Sequence, residues 1–275
     1  MVIMTSEILQ NPLARGAVGL LLAVVVVAAA RKTRTLSTSG AVAAVLTGTI
    51  TMAAGWSWGF LLIGLFVTGT ALSRFGESKK NQRVRTIVAK GGERDWIQVA
   101  ANGGVFVAAA LASLLFPDAK WQIAGIGALA ASAADTWSTE IGTLSGVMPR
   151  LIISGRKVPA GTSGGITLSG TLGAVAGAAC AGVGARLAGW TTPIMVIIVA
   201  GTAGAIADSL LGATIQTRRW CAQCGMSTER DIHVCGAQTT HAGGIAGFGN
   251  DAVNFASTLI GAMTALMLRG LGGIA

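Results

Sequence analysis

The sequence predicts an all-α integral membrane protein, a bundle of about eight transmembrane helices with a small cytoplasmic Cys-rich insert. Composition is the first ground. Of 275 residues, 52% are hydrophobic and 11% charged, against about 25% charged in ordinary soluble domains. With a mean hydropathy of +0.66, the chain has too few charges to clothe a soluble surface and too much apolar content to stay disordered. The 40 glycines follow no Gly-X-Y period, which excludes collagen. Charge placement is the second ground. The net charge of +9 would point to nucleic acid in a soluble protein. Here every basic residue except Arg15, Lys120, Arg186 and Arg269 falls in Arg31–Arg34, Arg74–Arg94, Arg150–Lys157 or Arg218–Arg230. That clustering follows the positive-inside rule, and no nucleic-acid partner is expected.

The apolar runs are the third ground. In order they are Ala14–Ala30, Ser37–Ala54, Ser57–Leu72, Ile97–Phe116, Trp121–Ala134, Ile166–Ala188, Thr192–Ala213 and Ala252–Leu268. The first has no basic segment before it and Arg31–Arg34 after it, so it is expected to stay as an anchor and not be cleaved as a signal peptide. The connections Gly55-Trp56, Pro117–Lys120 and Gly189–Thr192 are short, nearly uncharged and marked by Trp, as at a membrane interface. The remaining connections carry the basic clusters. An even number of crossings puts all of these on one side, expected to be cytoplasmic at the plasma membrane, with both termini outside. Small residues such as those in Gly170–Gly177 let helices approach closely, which also permits a homodimer. One polytopic domain spans 1–275, with a candidate zinc-knuckle insert at 218–242.

Four acids stand apart from the loops. Asp135 is expected to end a crossing, Asp208 lies inside one, Asp251 opens the last, and Glu140 follows Asp135 closely. A carboxylate at membrane depth costs about 2.5–3.5 kcal/mol, so it is usually paired or functional. The three aspartates lie toward the basic-loop ends of their helices, where they could converge on a hard divalent cation, with Glu140, Asn250 and Asn254 as further oxygen ligands. Capping or interhelical hydrogen bonding is the alternative.

Three other patterns bear on chemistry. The segment Arg150–Gly165 brings Arg156 and Lys157 to Gly161-Thr162-Ser163-Gly164-Gly165 just before a helix, as an anion site requires. Lys precedes the glycines, so it is not a Walker A loop. The segments Ser73–Lys80 and Gly91–Gly104 hold Arg74, Lys79, Arg94 and Asn102, which could bind phosphates or lipid head groups as well as hold a loop inside. Cys221, Cys224 and Cys235, with His233 or His241 as the fourth ligand, form a candidate structural zinc knuckle. With both histidines beside the cysteines, a histidine base is not expected. A phosphate monoester is already an anion near neutral pH, so phosphoryl transfer to it needs positioning and charge neutralisation more than a base.

Together, Ser73–Lys80, Gly91–Asn102, Ala133–Gly142, Gly161–Gly173, Gly204–Gly212 and Asn250–Phe255 resemble the family of transmembrane protein 19 and plant phytyl-phosphate kinase. The Cys–Gly insert is similar to that of its bacterial and archaeal members. The family in turn resembles dolichol kinases and CDP-diacylglycerol synthases, membrane enzymes that use CTP. The resemblance implies a kinase that converts an isoprenoid monophosphate of phytyl or geranylgeranyl type to the diphosphate, with CTP the favoured nucleotide. It implies Mg²⁺ on Asp135 and Asp251, and phosphates on Arg156, Lys157 and Gly161–Gly165. Arg74, Lys79, Arg94 and Lys157 would neutralise charge in the reaction. A lipid-phosphate cytidylyltransferase and a lipid-phosphate transporter or flippase are the alternatives.

Overall fold

The computed structural model describes residues 10–271. Both chain termini, and with them the expectation that they lie outside the cell, fall beyond the described residues. Eight long helices run through the described residues: α1 (Pro12–Lys32), α2 (Thr38–Ala54), α3 (Trp56–Arg74), α5 (Trp96–Leu115), α6 (Ala119–Ser145), α7 (Leu168–Leu187), α8 (Ile194–Thr214) and α9 (Asn250–Leu271). A short helix, α4 (Glu77–Val84), lies between α3 and α5. By length and composition, α1, α3, α5, α7, α8 and α9 suit a membrane crossing, and α2 is a shorter apolar helix.

Helix starts follow from local chemistry. Asn11, Ser37, Asp118 and Thr167 each accept a backbone N–H at the first turn of α1, α2, α6 and α7, the usual use of short polar side chains at an N-terminus. Asp95 and Gln98 form a reciprocal capping box at α5.

Helix α6 is the centre of the bundle. It packs against α7, α8, α9, α5 and α3, and Ala124–Ala131 are buried without a break. Small residues make that possible. A Cβ at Gly127 would meet the Gly261 carbonyl of α9 at 2.5 Å, and one at Gly177 would meet the Ala133 carbonyl at 2.6 Å. Around this seam Trp58 lies 5.0 Å from Phe106 and edge-on to Trp190 at 4.7 Å, closing the core beneath the short connections.

Two features correct the sequence reading. Helix α6 does not end at Ala134 but continues to Ser145, so Asp135 and Glu140 both lie within a helix. The polar run Asp135–Glu140 reads as a connection because its partners come from distant segments. The all-α expectation also gains two small antiparallel sheets. One joins β1 (Arg150–Leu151) to β2 (Gly165–Ile166). The other sets β3 (Arg218–Cys221) between β4 (Met226–Thr228) and β5 (Thr240–Gly243) in the Cys-rich insert.

Candidate functional site

Three of the four basic segments, Arg31–Arg34, Arg74–Arg94 and Arg218–Arg230, contribute to the lining of a cavity of about 910 Å³ at one end of the bundle. Its inner stretch is apolar and lined from α1, α2 and α3 by Val27, Ala44, Met52, Leu62 and Phe66. Its outer end is lined by Arg34, Arg74, Lys80, Arg94, Asn102, Asp135, Glu140, Gly161–Gly165, Asp208, Glu229, Asn250, Asp251 and Asn254. The opposite end of the molecule holds the short connections, tied by Ser57 Oγ donating to the Ala188 carbonyl at 2.8 Å and by Lys120 beside Asp118 at 3.2 Å.

Three helices each bring one aspartate to the cavity. Asp135 of α6 and Asp208 of α8 lie close enough for their charges to interact. Asp208 Oδ2 and Asp251 Oδ1 are buried without a hydrogen-bond partner. The other oxygen of Asp251 accepts from Lys90 Nζ at 2.6 Å, and Lys90 also reaches Asp95 at 2.8 Å. Oxygen donors of this kind suit a hard divalent cation such as Mg²⁺, but among the described residues the one group of three or more ligand side chains close enough to share an ion is the Cys/His cluster of the insert. Glu140 differs from them. Its oxygens accept from Ser73 Oγ at 2.6 Å and from Lys80 Nζ, and Lys80 also donates to the Leu72 and Ser73 carbonyls at 2.9 and 2.7 Å. Glu140 is thus half of an ion pair that ties α6 to the end of α3, with each of its oxygens engaged by a protein donor.

Cations line the same space. Arg94 makes no ion pair or side-chain hydrogen bond among the described residues, and burial pulls its guanidinium below its ordinary range, opposed in part by the Glu140 charge. A half-buried, unpaired guanidinium on a cavity wall can take an anion. Arg74 reaches Thr35 Oγ1 at 3.2 Å and Glu77 at 3.6 Å. Arg34 holds the one positive φ of a non-glycine residue among the described residues, 53°. Asn102 accepts from Ser132 Oγ at 3.3 Å, while Asn250 and Asn254 line the wall. By contrast Lys79, Arg156 and Lys157 are exposed and do not line the cavity. Lys80, one position on, points inward instead, and only the helical turn of α4 distinguishes the two.

The Gly161–Gly165 loop also lines the cavity but is not the start of α7, as its sequence suggests. Strand β2 and the capping Thr167 intervene. The loop is seated against the end of α8, and Gly164 needs both its φ of 77° and its missing side chain there, because a Cβ would collide with Ala213. Ser163 Oγ donates to Glu229 Oε1 at 2.6 Å, and Gln216 Nε2 donates to the same oxygen at 2.7 Å. Burial raises the Glu229 carboxyl above its ordinary range, and the Ser163 bond opposes that rise. In sequence Glu229 is one more loop acid; only the fold of the insert turns it inward.

In the insert, Cys221, Cys224, His233 and Cys235 bring ligand atoms within 4.8 Å of one another. The Cys221–Cys235 sulfurs are 3.7 Å apart, close to the ~3.8 Å edge of a tetrahedron with ~2.3 Å Zn–S bonds. His233 is 3% exposed, with Nδ1 at 3.2 Å from Cys235 Sγ. That hydrogen bond lowers the Cys235 thiol to about 6, favouring the thiolate that a metal requires. His241 lies on β5, exposed and outside the cluster. These four residues can hold a metal, and their donor set fits zinc.

Comparison with known proteins places this geometry in context. The family described as Integral membrane protein DUF92 matches residues 21–262. The chain is 33% identical over 258 residues to Protein PGR of Arabidopsis thaliana, covering 83% of this chain and 87% of that one. An uncharacterized membrane protein of Methanocaldococcus jannaschii is 33% identical over 191 residues, 68% and 78% of the two chains. Protein VTE6, chloroplastic, of Arabidopsis thaliana is 34% identical over 195 residues, 66% of this chain and 57% of its own. No solved structure matches.

Proposed function

Because the chain belongs to the integral membrane protein family DUF92, we propose that it is a membrane-embedded, nucleoside-triphosphate-dependent kinase that converts an isoprenoid monophosphate to the diphosphate. The observation that carries this reading is the form of the cavity, an apolar passage between α1, α2 and α3 that opens into one charged end. An isoprenoid tail suits the first part and its phosphate the second. The similarity to Protein VTE6 and the resemblance to phytyl-phosphate kinases favour a phytyl or geranylgeranyl substrate, and the resemblance to dolichol kinases favours CTP.

In this mechanism Arg94, with Arg74 and Arg34 beside it, holds the lipid phosphate at the polar end of the cavity. The Gly161–Gly165 loop and Asn102 border the nucleotide phosphates, and Asn250 and Asn254 line the wall beside Asp251. Mg²⁺, held by Asp135, Asp208 and Asp251, would neutralise charge on the nucleotide when bound. A lipid phosphate oxygen attacks the γ-phosphorus in line, the bond to the β-phosphate oxygen breaks, and nucleoside diphosphate leaves. No side chain need remove a proton, since the attacking phosphate is already ionised. Zinc in the Cys221, Cys224, His233 and Cys235 cluster would be structural, because all four of its positions are filled by protein. The basic end faces the cytoplasm by the positive-inside rule, in a plasma-membrane setting.

The test is turnover in nanodiscs with geranylgeranyl or phytyl monophosphate, Mg²⁺ and each ribonucleoside triphosphate, with both products identified. A prenyl diphosphate plus nucleoside diphosphate is expected. A lipid–nucleotide conjugate plus pyrophosphate would make the protein a cytidylyltransferase. Binding of the lipid phosphate without turnover would shift the reading to transport.

A further inference from the structure

Glu229 stands between the two ligand pairs of the insert, after Cys221 and Cys224 and before His233 and Cys235. Its surroundings belong to neither pair. Ser163 and Gln216 both donate to Oε1, at 2.6 and 2.7 Å, and the Ala89 N–H lies 3.4 Å from Oε2. Its own N–H donates to the Ile87 carbonyl at 2.8 Å. On either side, Thr228 Oγ1 donates to that same carbonyl at 3.1 Å and Arg230 Nε donates to the Arg85 carbonyl at 3.1 Å. The strap so held, residues 85–90, ends in Lys90, which bonds Asp251. A continuous chain of contacts thus runs from the Cys/His cluster through Glu229 to the glycine loop on one side, and to the cavity aspartate on the other.

We propose that the metal-bound knuckle is a positioning module for the cavity, and that Glu229 is the positioning residue through which it acts. The physical argument is one of marginal stability. The sheet of the insert has three strands of three or four residues each, at the short end of the usual range and so marginal without a further tie. Metal binding supplies the folding free energy of such an insert. With the ion in place, Glu229 is fixed and holds Ser163 and the 85–90 strap against the cavity. Without it the carboxylate is free to leave, and both segments lose their anchor. The inference rests on the cavity as the binding site and is independent of which reaction occurs there.

Amide hydrogen exchange on the full chain in nanodiscs tests it, comparing zinc-loaded protein with protein stripped by a chelator. Chelation is expected to speed exchange about tenfold at residues 161–165 and 85–90 as well as within 218–243, the effect of losing a hydrogen bond to a charged group. Glu229→Ala should reproduce the change at 161–165 and 85–90 while keeping its zinc. Glu229→Gln, whose amide oxygen still accepts from Ser163, should restore most of the protection. If Glu229→Ala does not fold, Ser163→Ala replaces it and should loosen 161–165 alone. Exchange confined to 218–243 after chelation would overturn the proposal, as would a protected glycine loop in Glu229→Ala, or a purified chain that takes up no zinc. In the same preparations Glu229→Ala should raise KM for the nucleoside triphosphate more than it lowers kcat, with Glu229→Gln rescuing it. Absence of turnover in the unmutated protein would count against the kinase and leave the exchange result to decide the positioning role.

Discussion

Lys80 and Glu140 are 60 residues apart in sequence and form a pair in which the lysine is 5% exposed. Removing one partner of a buried pair leaves the other charge uncompensated, at a cost of about 3–5 kcal/mol. Lys80→Met should therefore lower the unfolding temperature sharply in detergent, while Lys80→Met with Glu140→Leu should recover much of the loss. The cavity aspartates behave differently, because they have no protein cation to satisfy all their oxygens. Asp135→Asn and Asp208→Asn should fold normally and lose turnover by about 10²–10³, the usual cost of removing one electrostatic contact to a transition state; near-normal turnover in folded protein would remove them from the site. Lys90 and Asp95 set a pH dependence. Burial, the largest single influence, opposes the charged forms of Lys90 and Asp95, yet Asp251 and Asp95 together raise Lys90 above 10.5, and Lys90 with the backbone N–H groups of Gln98 and Ile97 lowers Asp95 below 3.8. Asp95 then contributes stability that is complete above its unfolded pKa and lost as pH falls through its lower folded value. Lys90 contributes stability that is complete below its unfolded pKa and lost as pH rises through its higher folded value. Lys90→Gln should lower the unfolding temperature near neutral pH and flatten its fall in acid, the two proteins converging as Asp95 protonates, as read by thermal melts across a pH series.

At the scale of elements, α6 explains most of the architecture. Its alanines and glycines let α7, α8 and α9 approach to backbone contact, which replaces the hydrophobic force that lipid cannot supply between helices. Gly127 and Gly261 face one another across α6 and α9. Gly127→Val should therefore cost about 1–3 kcal/mol through overpacking, visible as a lower unfolding temperature. A matching insertion at Gly64, where a Cβ would meet nothing, should have little effect. The same helix shows why boundaries were harder to read than existence. Its first half announces itself by apolar content, whereas Asp135–Glu140 looks like a loop until Lys80, Ser73 and the cavity are brought beside it.

Over the whole molecule, charge separates the two ends. Lys79 is exposed at the basic end and Lys120 at the opposite one. In intact cells an impermeant thiol reagent should label Lys120→Cys directly and reach Lys79→Cys only after permeabilisation, with native Cys224 and Cys235 following Lys79. The reverse pattern would invert the orientation and put the cavity outside the cell. Membrane character, the run of apolar helices and the metal-ligand grouping of the insert were all determined by sequence, because each depends on composition or short spacing along the chain. The tertiary structure alone decided that Lys80 and not Lys79 turns inward, that Glu140 is spent on an ion pair, that Lys157 and Arg156 stay in solvent, and that Glu229 reaches the cavity. Those outcomes depend on which surfaces meet across the bundle, and side chains separated by many residues have no local signal that records their meeting.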